Sequence, residues 1–187
     1  MMMLTRLLRE HDKLRTIGAD LAVLVSSGEP CDLDELVQKR CEMTRTVHQH
    51  LAYEERQVLR RLRDDPDPLT RRAVDDCVAG IEQLHIAYRA HVTMWTTRDI
   101  ATRWPDFQKA VKTLIIGMRM KLDREERLLF PLVTGIGEPD SHWRPGTRNW
   151  AGDGIAIQAA IRRSSAVCDP APLFLEMDSP TISRQMT

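Results

Sequence analysis

The 187-residue sequence predicts an all-α protein, an up-down-up-down four-helix bundle followed by a Pro/Gly-rich C-terminal appendage. Three observations predict it. Apolar residues recur at three- and four-residue intervals through four long stretches, which is the helical period. Short links rich in helix-stopping and helix-capping residues separate the stretches, so consecutive helices run antiparallel. Aromatic residues make up 5% of the chain and charged residues 29%, which suits long solvated helices better than a sheet.

The first helix is expected from about Met3 to Ser26, with Leu4, Leu7, Leu8, His11, Leu14, Ile17, Leu21 and Val25 on its seam, and Ser27-Gly28-Glu29-Pro30 stops it. The second starts at Asp32, which with Glu35 resembles a capping box. It runs through Leu36, Met43, Val47, His50, Leu51, Glu54, Val58 and Leu62 to about Arg63, where Asp64-Asp65-Pro66-Asp67 breaks it. In the third, Asp67 is the N-cap and Pro68 the first helical residue. Its inner face carries Val74, Val78, Ile81, Leu84, His85, Tyr88, Val92 and Trp95. The fourth opens at Pro105 and closes at Phe130, with Phe107, Val111, Leu114, Met118, Leu122, Glu125 and Leu129 inward. The bundle domain therefore spans residues 1–134. Residues 135–187 form a tail punctuated by Gly and Pro, partly irregular, with one short helix expected near residues 155–163.

Composition narrows the function. Lys and Arg total 27, as do Asp and Glu, so the net charge is zero and gives no electrostatic case for nucleic acid or an anionic membrane. The four cysteines form no C-x-x-C pair, so neither a thiolate zinc site nor a disulfide framework is indicated. Charged residues interrupt the N-terminus before a signal-peptide core can form, and no apolar run is long enough to span a bilayer. A cytoplasmic protein is the expectation.

Each helix carries a candidate ligand on its inward face: His11 on the first, His50 and Glu54 on the second, His85 on the third and Glu125 on the fourth. Residues four apart on a helix point the same way, so the H-x-x-x-E pair His50 and Glu54 can grip one centre. Carboxylates on an apolar seam are costly unless paired or coordinated, and two facing carboxylates repel until a cation lies between them. Imidazole with carboxylate suits iron, and glutamate-bridged iron pairs occur in bundle cores. Counted inward from one end of the bundle, the five residues fall within about 13 Å of one another in height. The expected cofactor is one or two non-haem iron ions. His48, His91 and His142 read as ordinary solvated or locally bonded histidines.

These motifs carry a resemblance to a known family. EHDKL at residues 10–14, HLAYEE at 50–55, LHIAY at 84–88 and EERLLFP at 125–131 occur in the order and at the separations of the hemerythrin-like (HHE cation-binding) family. The resemblance covers about residues 4–133. It implies non-haem iron held by His11, His50, Glu54, His85 and Glu125, and a small ligand such as dioxygen, nitric oxide or peroxide. It also marks a departure: the family usually has a second H-x-x-x-E on the fourth helix, and here Lys121 stands four residues before Glu125. By analogy His11 and His50 serve one iron, while the other keeps only His85 and the two glutamates. Lys121 has three readings: a cation in place of the second iron, a side chain turned away, or a neutral amine ligand. Two other functional readings stay open. One is a metal-depleted bundle serving as an interaction module, and the other is a small-molecule redox enzyme of the same family.

Overall fold

The computed structural model describes residues 2–133 and 148–166. Among these residues the ordered elements are helical, and four long helices build the bundle. Helix α1 spans Met2–Leu24. Helix α2 spans Leu33–Glu54 and continues without a break through a π-helical turn, Glu55–Leu59, into α3, Arg60–Arg63. Helix α4 covers Pro68–Met94, the short α5 covers Thr97–Thr102, and α6 runs Trp104–Leu128 into a last turn, α7, Phe130–Val133. Helix α8, Trp150–Ala166, spans the stretch in which the sequence suggests a short helix. His142 and Trp143 lie outside the described residues.

The helix starts follow local chemistry. Asp32 accepts hydrogen bonds from the Asp34 and Glu35 amides, and Asp67 accepts from Leu69 and Thr70 with Pro68 behind it. Thr96 and Asp99 form a reciprocal capping box that starts α5, an element the period of the sequence does not reveal. The Trp104 indole N–H donates to the Ser27 carbonyl at 3.0 Å, and the Gln108 amide donates to Val25 O at 2.6 Å. These bonds tie the α1–α2 link to the start of α6 and close one end of the bundle.

Two apolar cores result. One gathers Leu7, Leu51, Val58, Leu62, Val74, Ile81 and Phe130. The other gathers Leu14, Ile17, Leu21, Leu36, Met43, Phe107, Val111 and Met118. A fully buried leucine in either contributes about 2 kcal/mol by removal from water. Gly18 lets α1 approach α6 closely, since a Cβ there would lie 3.0 Å from the Met118 methyl. Along α1, His11 falls between Leu7 and Leu14, so the polar residues of the seam sit where the two cores meet.

Helix α8 is more than an appendage in its packing. It lies along α2 and touches α4 and α5. Ile157 and Ile161 bury against Cys41 and Val92, and Trp150 joins the first core. The Trp150 indole donates to Glu55 Oε2 at 2.7 Å. Gly154 permits this approach, because a Cβ there would stand 2.9 Å from the His48 side chain.

Candidate metal centre

Four of the five candidate ligands converge. His11 on α1, His50 and Glu54 on α2, and Glu125 on α6 are each at most 1% exposed. The helical period explains this: Leu7, His11 and Leu14 share one stripe, as do His50 and Glu54, and Leu122 and Glu125. One ligand atom from each of His11, His50 and Glu125 lies within 4.8 Å of the others. The Nε2 atoms of His11 and His50 face each other at 3.3 Å. His11 Nε2 is 3.6 Å from Glu125 Oε2, and His50 Nε2 is 3.6 Å from Glu54 Oε2.

The far side of each imidazole is held by a carboxylate. His11 Nδ1–H donates to Glu126 Oε1 at 2.8 Å, and Arg15 steadies Glu126 through another 2.8 Å contact. His50 Nδ1–H donates to Glu10 Oε2 at 3.1 Å, and Arg6 holds Glu10 at 2.8 Å. A carboxylate behind an imidazole fixes the tautomer and turns the other nitrogen's lone pair toward the centre. Glu126 follows Glu125 in sequence and reads there as a solvated neighbour or supporting partner. Glu10 was not legible as a partner of His50, because the contact crosses between helices.

Lys121 occupies the middle of the group. Its Nζ lies 2.7 Å from Glu125 Oε2, 3.2 Å from Glu54 Oε2 and 3.3 Å from His50 Nε2. Of the three readings open in the sequence, the side chain pointing inward as a cation agrees with this position. Burial opposes its charge, but the two glutamates outweigh burial and raise its pKa. Burial, then the charges of His50 and Lys121, push His11 down to about 4, and His50 moves the same way through burial and Lys121. Both imidazoles are therefore neutral near pH 7, the form that binds metal. Burial, then the proximity of Glu54, raises Glu125 well above the usual carboxylate range. For Glu54 burial acts upward, but Lys121 and His50 overcome it and its pKa falls.

A cation fits this donor set. With both Nδ1 atoms committed to carboxylates, the two Nε2 lone pairs face each other at 3.3 Å, and that of His50 has a donor only in the long 3.3 Å contact from the Lys121 ammonium. Glu54 Oε1 and Glu125 Oε1 are buried without a hydrogen-bond partner. An ammonium on one side leaves these atoms partly unsatisfied, and a metal ion beside it would satisfy them.

His85 stands apart from this group. Its ring lies 5.5 Å from that of His48 and 5.4 Å from Trp150, and its Nε2 is 3.7 Å from Asp153 Oδ2 on α8. Asp153 is already engaged by Arg148 at 2.7 Å. Burial, then the nearby Arg148 charge, lowers His85 to about 4. His48 donates its Nδ1–H to the Thr44 carbonyl at 2.7 Å. Its neighbours Trp150 and Asp153 come from beyond the bundle, so its surroundings were hidden from the periodicity of α2.

A cavity of about 90 Å³ runs beside the centre, with an almost wholly apolar lining. His50 and Lys121 border it at one end, Leu14, Val47, Ile115 and Met118 along its walls, and Arg40 and His91 at the other end. Among the described residues no helix is long and apolar enough to cross a membrane.

Residues 2–133 match the family model described as "Hemerythrin HHE cation binding domain". No curated protein and no solved structure gives a significant match.

Proposed function

Since the chain belongs to the hemerythrin HHE cation-binding domain family, a family of metal-binding helical proteins, we propose that it holds one non-haem iron ion on His11, His50 and Glu125 and presents it to a small ligand such as dioxygen, nitric oxide or peroxide. One observation carries the reading: two imidazoles held from behind by carboxylates direct their Nε2 lone pairs at one point. Iron bound there would supply a redox-active position open to a small ligand.

The chain's own residues divide the remaining work. Glu10 and Glu126 orient the imidazoles. Glu54 and Glu125 offer oxygens to the cation, while Lys121 balances their charge and excludes a second dication from its side by like-charge repulsion. The apolar cavity beside His50 keeps bulk water low and suits a diatomic guest.

The metal-depleted interaction module is supported by the same lysine, which already neutralises the glutamates without metal. Anaerobic iron titration of the purified full chain separates the readings. One tightly bound iron per chain is expected, and none would favour the interaction module. A redox enzyme would additionally turn over peroxide or nitric oxide when iron-loaded.

A further inference from the structure

Helix α2 presents two faces, and the centre uses one of them. His50 and Glu54, four residues apart, reach inward to His11 and Lys121. At about 100° per residue, His48 lies roughly opposite His50, while Cys41, His48 and Glu55, each seven residues from the next, share one outer stripe. The Glu55 amide still donates to the Leu51 carbonyl, so this stripe keeps α-helical register to its end.

Helix α8 runs antiparallel along that stripe. Ile157 and Ile161 pack with Cys41. Gly154 lies against His48, where a Cβ would stand 2.9 Å from its Cβ and Cγ. The Trp150 indole donates to Glu55 Oε2 at 2.7 Å. Trp150, Gly154, Ile157 and Ile161 recur at intervals of four, three and four residues, so one face of α8 supplies every contact.

The consequence is geometrical. Side-chain atoms lie about 6 Å from a helix axis, so turning α2 by about 10° moves its ligand atoms by about 1 Å. A productive ligand set tolerates only about 0.5 Å. His50 and Glu54 belong to one helix, so a rotation misplaces both. His48 and Glu55 bracket these ligands in sequence, and both are pinned from outside, one by a close approach and the other by a directional hydrogen bond.

We propose that α8 is a positioning element of the metal centre: Trp150 and Gly154, acting through Glu55 and His48, set the rotation of α2 and so the aim of His50 and Glu54. The proposal rests on the one-iron reading of the centre.

Anaerobic ferrous-iron titration of full-length variants tests it. Trp150→Phe keeps a ring in the core and removes the indole N–H, and Gly154→Ala drives a methyl against His48. Each should hold one iron about tenfold more weakly than wild type. Val25→Ala, at a fully buried site about 20 Å from His11 along α1, should lower the melting temperature yet keep wild-type affinity. Linkage requires the reverse effect, that bound metal tightens the α8 contact. Zinc, a diamagnetic ion that takes His and Glu ligands, should slow solvent exchange of the Trp150 indole N–H about threefold more than that of Trp104, which donates to Ser27 at the far end of the bundle. Should Gly154→Ala fail to fold, Trp150→Phe and the indole exchange carry the test. The proposal is overturned if the folded variants bind iron as tightly as wild type, if Val25→Ala weakens iron as much as they do, or if zinc slows both indoles equally. Wild type that binds no iron overturns the one-iron reading itself, and the proposal with it.

Discussion

The protein holds two buried histidine pairs of different construction. His11 and His50 each lean back on a carboxylate, and their free nitrogens meet at 3.3 Å beside Glu54, Glu125 and Lys121. His48 and His85 are just as removed from water, yet their rings stack edge to face beneath Trp150 and their Nε2 atoms have no hydrogen-bond partner. The difference teaches that burial does not make a histidine a ligand. What distinguishes the first pair is a carboxylate behind each ring, where His48 has the Thr44 backbone carbonyl, and two glutamates beside the point where the Nε2 lone pairs meet.

The largest effect should come from dismantling the first pair's side of the comparison. His50→Ala with Glu54→Ala is expected to abolish iron binding, whereas His85→Ala should keep one iron per chain. Elemental analysis of the three proteins decides this, and iron lost from His85→Ala would join the two pairs into one centre. Next is the cation between the glutamates. Lys121→Met leaves Glu54 and Glu125 facing each other in the metal-free protein and should cost about 3–5 kcal/mol by denaturant unfolding. Lys121→His should instead raise the iron stoichiometry from one toward two, and an unchanged stoichiometry would make Lys121 a bystander.

A smaller effect tests the support behind the rings. Glu10→Gln or Glu126→Gln is expected to weaken metal affinity about 10–100-fold while leaving the helical circular dichroism unchanged. Unaltered affinity in both would remove the proposed difference between the pairs.

The smallest effect concerns the buried neutral histidines outside the centre. In the folded chain the pKa of His91 is down to about 3 and that of His85 to about 4, against about 6.5 when unfolded. The unfolded chain therefore binds more protons between those limits. Their neutral burial is fully compatible with stability above about pH 6.5, and stability falls as pH drops through that window. Melting temperature should decline accordingly in wild type. His91→Phe, placed against the stacked Phe107 ring, should make the decline shallower. An identical slope in the variant would show that His91 takes up its proton without unfolding.

The bundle was legible because a 3.6-residue period and a few caps specify four helices and their inward faces. His11, His50, Glu54 and Glu125 follow from that period alone, since each shares a stripe with buried leucines. The position of Lys121 was open in the sequence, because a long flexible side chain can point inward or snorkel outward from the same backbone site. His85 shares a stripe with Ile81, yet its immediate neighbours come from α8, beyond a Gly- and Pro-rich segment. Periodicity assigns a residue to a face but not the partner covering that face. The Glu10–His50 and Trp150–Glu55 contacts were hidden for the same reason.

The π-helical turn at Glu55–Leu59 has a consequence for how the chain length relates to its shape. Such a turn accommodates one residue more than a continuous α-helix would use between the same flanking faces. Glu54, just before the turn, serves the polar centre, Glu55 reaches Trp150, and Val58 and Leu59 both enter one core. An insertion in a helix normally rotates everything after it by about 100°. Here the surplus is confined to one turn, so α3 still directs Leu62 into the core. Val58 and Leu59, adjacent in sequence, thus share one core, an arrangement that a uniform pitch of about 100° per residue disfavours.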